Sequence, residues 1–370
     1  MKRTLRIAAL IVLLALLATA CSPKPSSNPP AGGPPTSGEG SGNGNSSAPP
    51  GTGIQTGTGG QTGTKTGGGA GEPKPIDLTK VKPNELGEIV ILEYHGISSK
   101  EERWARQYEN FRKDLESLYN QGYRLVKLTD VLENNIKVPA GFTPVVLTFD
   151  DGQENNFRYL VKDGKREIDR TSAVGIILDF AEAHPDMGTA ATFYVNMSGS
   201  PFGQRDSWKD KLRFLVDNGM EIGNHTYDHV NLSQMTPEEI RKQMGLQQKG
   251  VDEAVPGYKE NSFALPFGIW PKDREMAKRG EYQGTNYDIK GVLLVGSEPI
   301  PSPVDVKYDP YALQRVQAIQ SELDRVFGRF QKHPEQRYIS DGDPNTITFP
   351  SSLSARLNKA AVGNKTVRMY

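Results

Sequence analysis

Cysteine is almost missing from this chain of 370 residues: Cys21 stands alone, so no disulfide can close within one copy. Charge imbalance is missing as well, since 44 Lys and Arg face 44 Asp and Glu for a formal net charge of zero. No basic stretch is interleaved with aromatics, which removes the usual electrostatic footprint of a nucleic-acid binder. No glycine-rich loop follows a strand to cradle phosphate, and no internal repeat marks a solenoid. Long apolar runs are absent too. The longest, from 7 to 18, is short for a membrane span, which needs about 20 apolar residues. Histidine is scarce at five residues, so the position of each one carries information.

What is present begins with an export signal. Lys2, Arg3 and Arg6 precede the short apolar run, and small residues follow it. Leu17-Ala18-Thr19-Ala20-Cys21 resembles a bacterial lipobox, with the leucine one place earlier than usual. That resemblance implies a lipid on Cys21 and a chain held at the membrane, facing outward or toward the cell wall. Residues 21–75 are Gly, Ser, Thr, Pro and Asn with almost nothing apolar, a composition expected to stay disordered as a linker. The expected organisation is therefore a signal over 1–20, a linker over 21–75 and one domain over 76–370.

Within that domain apolar strands alternate with amphipathic helices. Strands are expected at 88–94, 145–149, 189–196, 220–223, 262–265 and 291–296. Helices are expected at Tyr108–Asn120, Ala173–Ala183 and 210–218, from the Thr-Pro-Glu-Glu start at Thr236, and as one long helix over 309–330. Alternation of this kind predicts an α/β fold with a mainly parallel sheet or barrel. In such barrels the strand C-termini share one face, where active sites sit. His95, Asp150-Asp151, His225 and the Pro266-Phe267-Gly268 turn all follow strand ends.

Two stretches carry chemistry. VVLTFDDG (145–152) is a buried strand ending in two adjacent carboxylates, each of which needs a partner or a cation. Its bland alternative is a solvated Asp-Gly turn. GNHTYDHVNL (223–232) places His225 and His229 four apart; in a helical turn both imidazoles would lie on one side, spaced to chelate one divalent ion. Two histidines and one carboxylate make a facial triad with open positions. Either aspartate can complete it, leaving the other as a base.

TFDDG, ATFYVN and NHTYDH together resemble the polysaccharide deacetylases, the NodB-like enzymes of carbohydrate esterase family 4, at pattern level over 89–351. The resemblance implies a metal-dependent hydrolase on a distorted (β/α) barrel, which agrees with the element order. It assigns Asp150 as catalytic base, and Asp151, His225 and His229 as ligands of zinc, with cobalt or nickel as substitutes. Thr226 matches the small hydroxyl residue of the histidine motif. Ala264-Leu265-Pro266-Phe267-Gly268 aligns with R-x-P-[YF]-G, so the Phe267 N–H would hold the oxyanion. Two departures stand out. The motif arginine is Ala264, and the late motif histidine has no match, His333 lying in a polar stretch. In the extracellular poly-N-acetylglucosamine deacetylase branch the acid histidine comes from an early YH motif, here Tyr94-His95, so His95 is the expected general acid. Arg315 is a candidate to replace the arginine beside Asp150. The implied substrate is an N-acetylglucosamine-containing polysaccharide, peptidoglycan or exopolysaccharide. Its groove would be shaped by 161–171, 196–210 and Trp270, with no nucleic acid or protein partner. Competing readings are a weakened carbohydrate-binding lipoprotein on the same fold and an O-acetyl esterase acting on xylan-like glycans.

Overall fold

The computed structural model describes residues 76–370. The signal, Cys21 and the linker lie outside the described residues. Eight parallel strands form the central sheet: β1 (Val90–Tyr94), β2 (Tyr123–Leu125), β3 (Thr143–Phe149), β4 (Thr192–Val195), β5 (Glu221–Asn224), β6 (Ser262–Ala264), β7 (Gly291–Leu293) and β8 (Val316–Gln317). Their order is β7-β6-β5-β4-β3-β1-β8, with β2 beside the first half of β3. Helices α1 (Tyr108–Asn120), α2 (Ala173–Ala183), α3 (Trp208–Asp217), α4 (Pro237–Ala254) and α5 (Gln320–Lys332) accompany the strands. The sheet curls until its ends meet, through bridges at Leu293–Leu313 and Gly296–Val316. This is the expected distorted (β/α) barrel. Among the described residues no helix is long and apolar enough to cross a membrane.

Strand alternation explains why a site forms at one end. Val90, Leu92 and Tyr94 of β1, and Val145, Leu147 and Phe149 of β3, pack into the larger core cluster. Their neighbours Ile91 and Val146 pack into a second cluster with Tyr194, Ala264 and Leu293, on the other face of the sheet. Continued by twos toward the C-terminal ends, that second face turns polar: Ile91 gives way to Glu93 and His95, and Val146 to Thr148 and Asp150.

One helix differs from expectation. The segment 309–317 is not helical, and α5 begins only at Gln320. Asp309 makes a single turn, accepting from the Tyr311 and Ala312 N–H groups. The chain then runs beside β7, where Val292 N donates to the Pro310 carbonyl, Leu313 N to the Val292 carbonyl and Leu294 N to the Leu313 carbonyl. Closing the barrel satisfies backbone groups that a helix would have used locally.

Candidate active site

Four strand ends deliver the polar residues. Asp150 follows β3 directly and is buried, its N–H donating to the Tyr94 carbonyl at 3.0 Å. Asp151 would point away by simple alternation. It turns inward because it adopts the left-handed region at φ 72°, followed by Gly152 at φ 57°. A side chain on Gly152 would press on Val195, 3.0 Å away. The two adjacent carboxylates thus reach one cavity.

His225 leaves the end of β5, but the histidine segment is not a helical turn. Residues 225–230 form an irregular loop in which Thr226 (φ 63°) and His229 (φ 51°) are left-handed. Side-chain amides hold that shape. Asn224 accepts from the Thr226 N–H, Asn196 donates to the carbonyls of His225 and Thr226, and Thr226 Oγ1 accepts from the Val230 N–H. From α4, Gln243 closes a two-bond ring with Asp228, accepting from its N–H at 2.9 Å and donating to its carboxylate at 2.8 Å.

The result brings Asp151, His225 and His229 together. Asp151 Oδ1 lies 3.5 Å from His225 Nε2 and 3.4 Å from His229 Nε2. His225 Nδ1 faces the Ala264 carbonyl at 2.8 Å, which fixes the tautomer and leaves Nε2 toward the carboxylate. Burial would raise the Asp151 carboxyl, but its hydrogen bond and ion pair with His225 outweigh that and hold it well below the usual range. Burial opposes charge on His225, yet Asp150 and Asp151 raise it; His229 is lowered by burial and by the neighbouring His225. These three donors are the kind that bind a divalent cation. Ligands about 2.1 Å from a tetrahedral zinc stand roughly 3.4 Å apart, so the spacing fits the ion.

Beside this triad lies a buried ion cluster. Arg315, with no exposed surface, donates from Nη1 to Asp150 Oδ1 at 2.7 Å and from Nη2 to Oδ2 at 2.8 Å. It also donates to the Leu294 carbonyl, Thr148 Oγ1 and, at 3.3 Å, Glu93 Oε1. Burial works against the Asp150 charge, but the guanidinium prevails and keeps the carboxyl low. Glu93 is raised, by burial above all, and its Oε2 is buried without a partner. Arg315 is therefore not the surface residue of a long helix. It reaches Asp150 from the closing strand, while position 264, where the motif arginine is expected, holds the buried Ala264.

His95 sits across the cavity, half-buried, its ring 4.8 Å from that of Trp104 and its carbonyl accepting from Asn156. Pro266 is buried, and Phe267 is left-handed at φ 60° with its ring against His229. Among the described residues the Phe267 N–H donates to no backbone carbonyl. The cavity, about 590 Å3, is lined by both acids, all three histidines, Glu93, Gln153, Trp104 and an apolar rim of Leu265, Phe267 and Val295.

Several expected neighbours are elsewhere. Residues 161–168 lie in an antiparallel hairpin (Tyr159–Lys162 with Lys165–Ile168); neither 161–171 nor 196–210 lines the cavity. Trp270 packs in a separate core cluster under Arg274. His333 caps the far end of α5 beside Glu335. Conversely, Glu93, Gln153 and Trp104 line the cavity without having been singled out. Only Glu93 left a mark in the sequence, as an acid following the apolar run Ile89–Leu92.

Residues 137–284 match the family model described as polysaccharide deacetylase. That span holds Asp150, Asp151, His225, His229 and Phe267, while His95 and Arg315 come from outside it. YxkH of Bacillus subtilis (strain 168), which carries a polysaccharide deacetylase name, is 22% identical over 256 residues, 68% of this chain and 78% of its own. A chitooligosaccharide deacetylase of Bradyrhizobium sp. (strain ANU 289) is 27% identical over 134 residues, 36% of this chain and half of its own length. Among solved structures, the Streptococcus pyogenes deacetylase PplD in complex with acetate aligns at 19% identity and a TM-score of 0.47, covering 63% of this chain and 92% of that one. The segment 137–284, with the paired motifs within it, is thus a polysaccharide deacetylase domain, similar to that of the curated deacetylases.

Proposed function

We propose that the chain hydrolyses N-acetyl groups of an N-acetylglucosamine-containing polysaccharide, peptidoglycan or exopolysaccharide, and releases acetate. The observation that carries this reading is the approach of Asp151 Oδ1 to both histidine Nε2 atoms, beside a second aspartate gripped by Arg315. Asp151, His225 and His229 would hold a divalent cation, zinc in preference to cobalt or nickel. Such a cation supplies Lewis acidity toward the acetamide carbonyl and makes water acidic enough to attack near neutral pH. Arg315 keeps Asp150 ionised and aimed, so that Asp150 accepts the proton of the attacking water. The Phe267 N–H donates to the oxygen on which negative charge develops. His95 donates its proton to the leaving nitrogen as the C–N bond breaks, giving acetate and a free amino sugar. The early position of His95 is what favours the extracellular poly-N-acetylglucosamine branch.

The weakened-binder reading rested on the missing motif arginine; an arginine bound through both nitrogens to Asp150 removes that support. The test is acetate release from N-acetylglucosamine polymers, with acetylxylan as the O-acetyl comparison. Activity is expected on the former, lost on chelation and in Asp150→Asn. Full turnover by Asp150→Asn sinks the assignment of the base, and activity on acetylxylan alone sinks the substrate.

A further inference from the structure

We infer that Glu93, His95 and Asp150 form a second divalent-cation site, weaker than the triad and inhibitory when filled. The three lie at the ends of adjacent parallel strands. Tyr94 pairs with Phe149, so His95 and Asp150 emerge side by side, and Glu93, two residues before His95, shares its face. One donor atom from each residue lies within 4.8 Å of the other two, and the group shares no residue with Asp151, His225 and His229. Donors gathered about 2.1 Å from one tetrahedral zinc stand roughly 3.4 Å apart, a difference that small side-chain rotations close. One imidazole and two carboxylates make a donor set that zinc accepts.

These donors are short of partners. Arg315 is shared unequally: it reaches Asp150 at 2.7 and 2.8 Å, but Glu93 Oε1 only at 3.3 Å. Glu93 is 4% exposed and lines the catalytic cavity, and its Oε2 is buried with no hydrogen-bond partner. A buried carboxylate oxygen in that state is costly and open to a cation. The His95 ring lies against Trp104, and among the described residues no protein group hydrogen-bonds it, so a ring nitrogen is open as well. One guanidinium facing two carboxylates leaves room for one more positive charge. In the proposed reaction that charge is the proton on His95, and an ion here takes its place. The nitrogen that would protonate the leaving amine is then tied to the ion. Asp150 divides its lone pairs between the ion and Arg315, so neither group can move a proton. The ion enters beside the guanidinium and a filled triad, and like charge in a buried pocket weakens it. Inhibition rests on the roles proposed for His95 and Asp150; the site itself does not.

The experiment titrates the full chain, stripped of metal by chelator and dialysis, with zinc in a calorimeter. Acetate release from N-acetylglucosamine oligomers is followed over the same range of free zinc. Two binding events are expected, the second at least 100-fold weaker than the first. Glu93→Gln and His95→Gln should each keep the first event and lose the second, whereas Asp151→Asn should lose the first. Wild-type turnover should rise through the first event and fall at least 10-fold through the second. In Glu93→Gln the fall should vanish, measured against that variant's own plateau. A single event in the wild type, or a second event kept by both Glu93→Gln and His95→Gln, overturns the site. A second event that leaves turnover intact overturns the inhibition. Two events without acetate release from any acetylated glycan leave the second site standing and sink the proposed function.

Discussion

Asp150, Glu93 and Arg315 show how much a single buried cation holds together. Two carboxylates and one guanidinium share a pocket with almost no solvent. Removing the cation strands both acids, and breaking a buried ion pair costs about 3–5 kcal/mol. Arg315→Met is therefore expected to lower the melting temperature and cut kcat at least 100-fold, while cobalt binding survives at the separate triad. Arg315→Lys should not rescue it, because one ammonium cannot donate along two parallel bonds to a carboxylate. Melting curves, kcat and cobalt titration check these outcomes; normal kcat in Arg315→Met contradicts the role given to it. At this scale the sequence was legible where residues sit close together. TFDDG and HTYDH each hold their chemistry within a few positions. Glu93 meets Arg315 across 222 residues, and no local pattern announces such a pairing.

The elements around the histidine loop carry a second burden. α4 buries Gln243, Gln247 and Gln248 where a helix would ordinarily bury aliphatics, and of these Gln243 bonds the loop. Gln243 grips Asp228, and Gln247 donates to Glu260, which also accepts from Asn224. His225 has the Ala264 carbonyl to fix its ring, whereas the orientation of His229 follows from its left-handed backbone beside Asp228. Gln243→Met keeps the volume and deletes both bonds, so metal affinity should weaken 10–100-fold, the usual cost of losing a supporting partner. Gln248→Met, which loses bonds to Tyr258 and Glu260 instead, should lower the melting temperature and leave metal affinity in place. Titration with cobalt separates the two.

Glu260 adds a pH dependence. Burial pushes its carboxyl up to about 8 from an ordinary 4.5, with Gln247 and Asn224 offsetting only part of that. A carboxyl raised in the folded state contributes its full stability below about pH 4.5 and loses it as pH rises toward 8. The same holds for Glu85, raised to about 8 by burial and by Asp341. Stability is expected to fall between pH 5 and pH 9, and the fall should shrink in Glu260→Gln and Glu85→Gln; unchanged slopes in urea unfolding would exclude this source. Helices with clean periodicity, such as α1 and α2, were legible to the residue. The segment 309–317 was not, because its backbone partners lie on β7, far away in sequence.

On the scale of the molecule, the residues that define the family and the residues that complete its site come from different parts of the barrel. The segment 137–284 supplies β3 to β6, yet β1 lies between β3 and β8, and Arg315 arrives with the closing strand. Strand order and closure were not legible for the same reason: alternation predicts parallel strands but is silent on which strand ends beside which. A cation at Asp151, His225 and His229 would tie the end of β3 to the loop after β5, two strands that meet only through β4. Binding confined to the folded state adds stability of RT ln(1 + [L]/Kd), about 4 kcal/mol at a thousandfold excess over Kd. Chelation is thus expected to lower the melting temperature by several degrees, a drop that readded zinc reverses. Asp151→Asn should melt near the chelated value and respond little to either treatment. The triad as a metal site would be contradicted by wild-type chain that melts at one temperature with zinc, without it and under chelator.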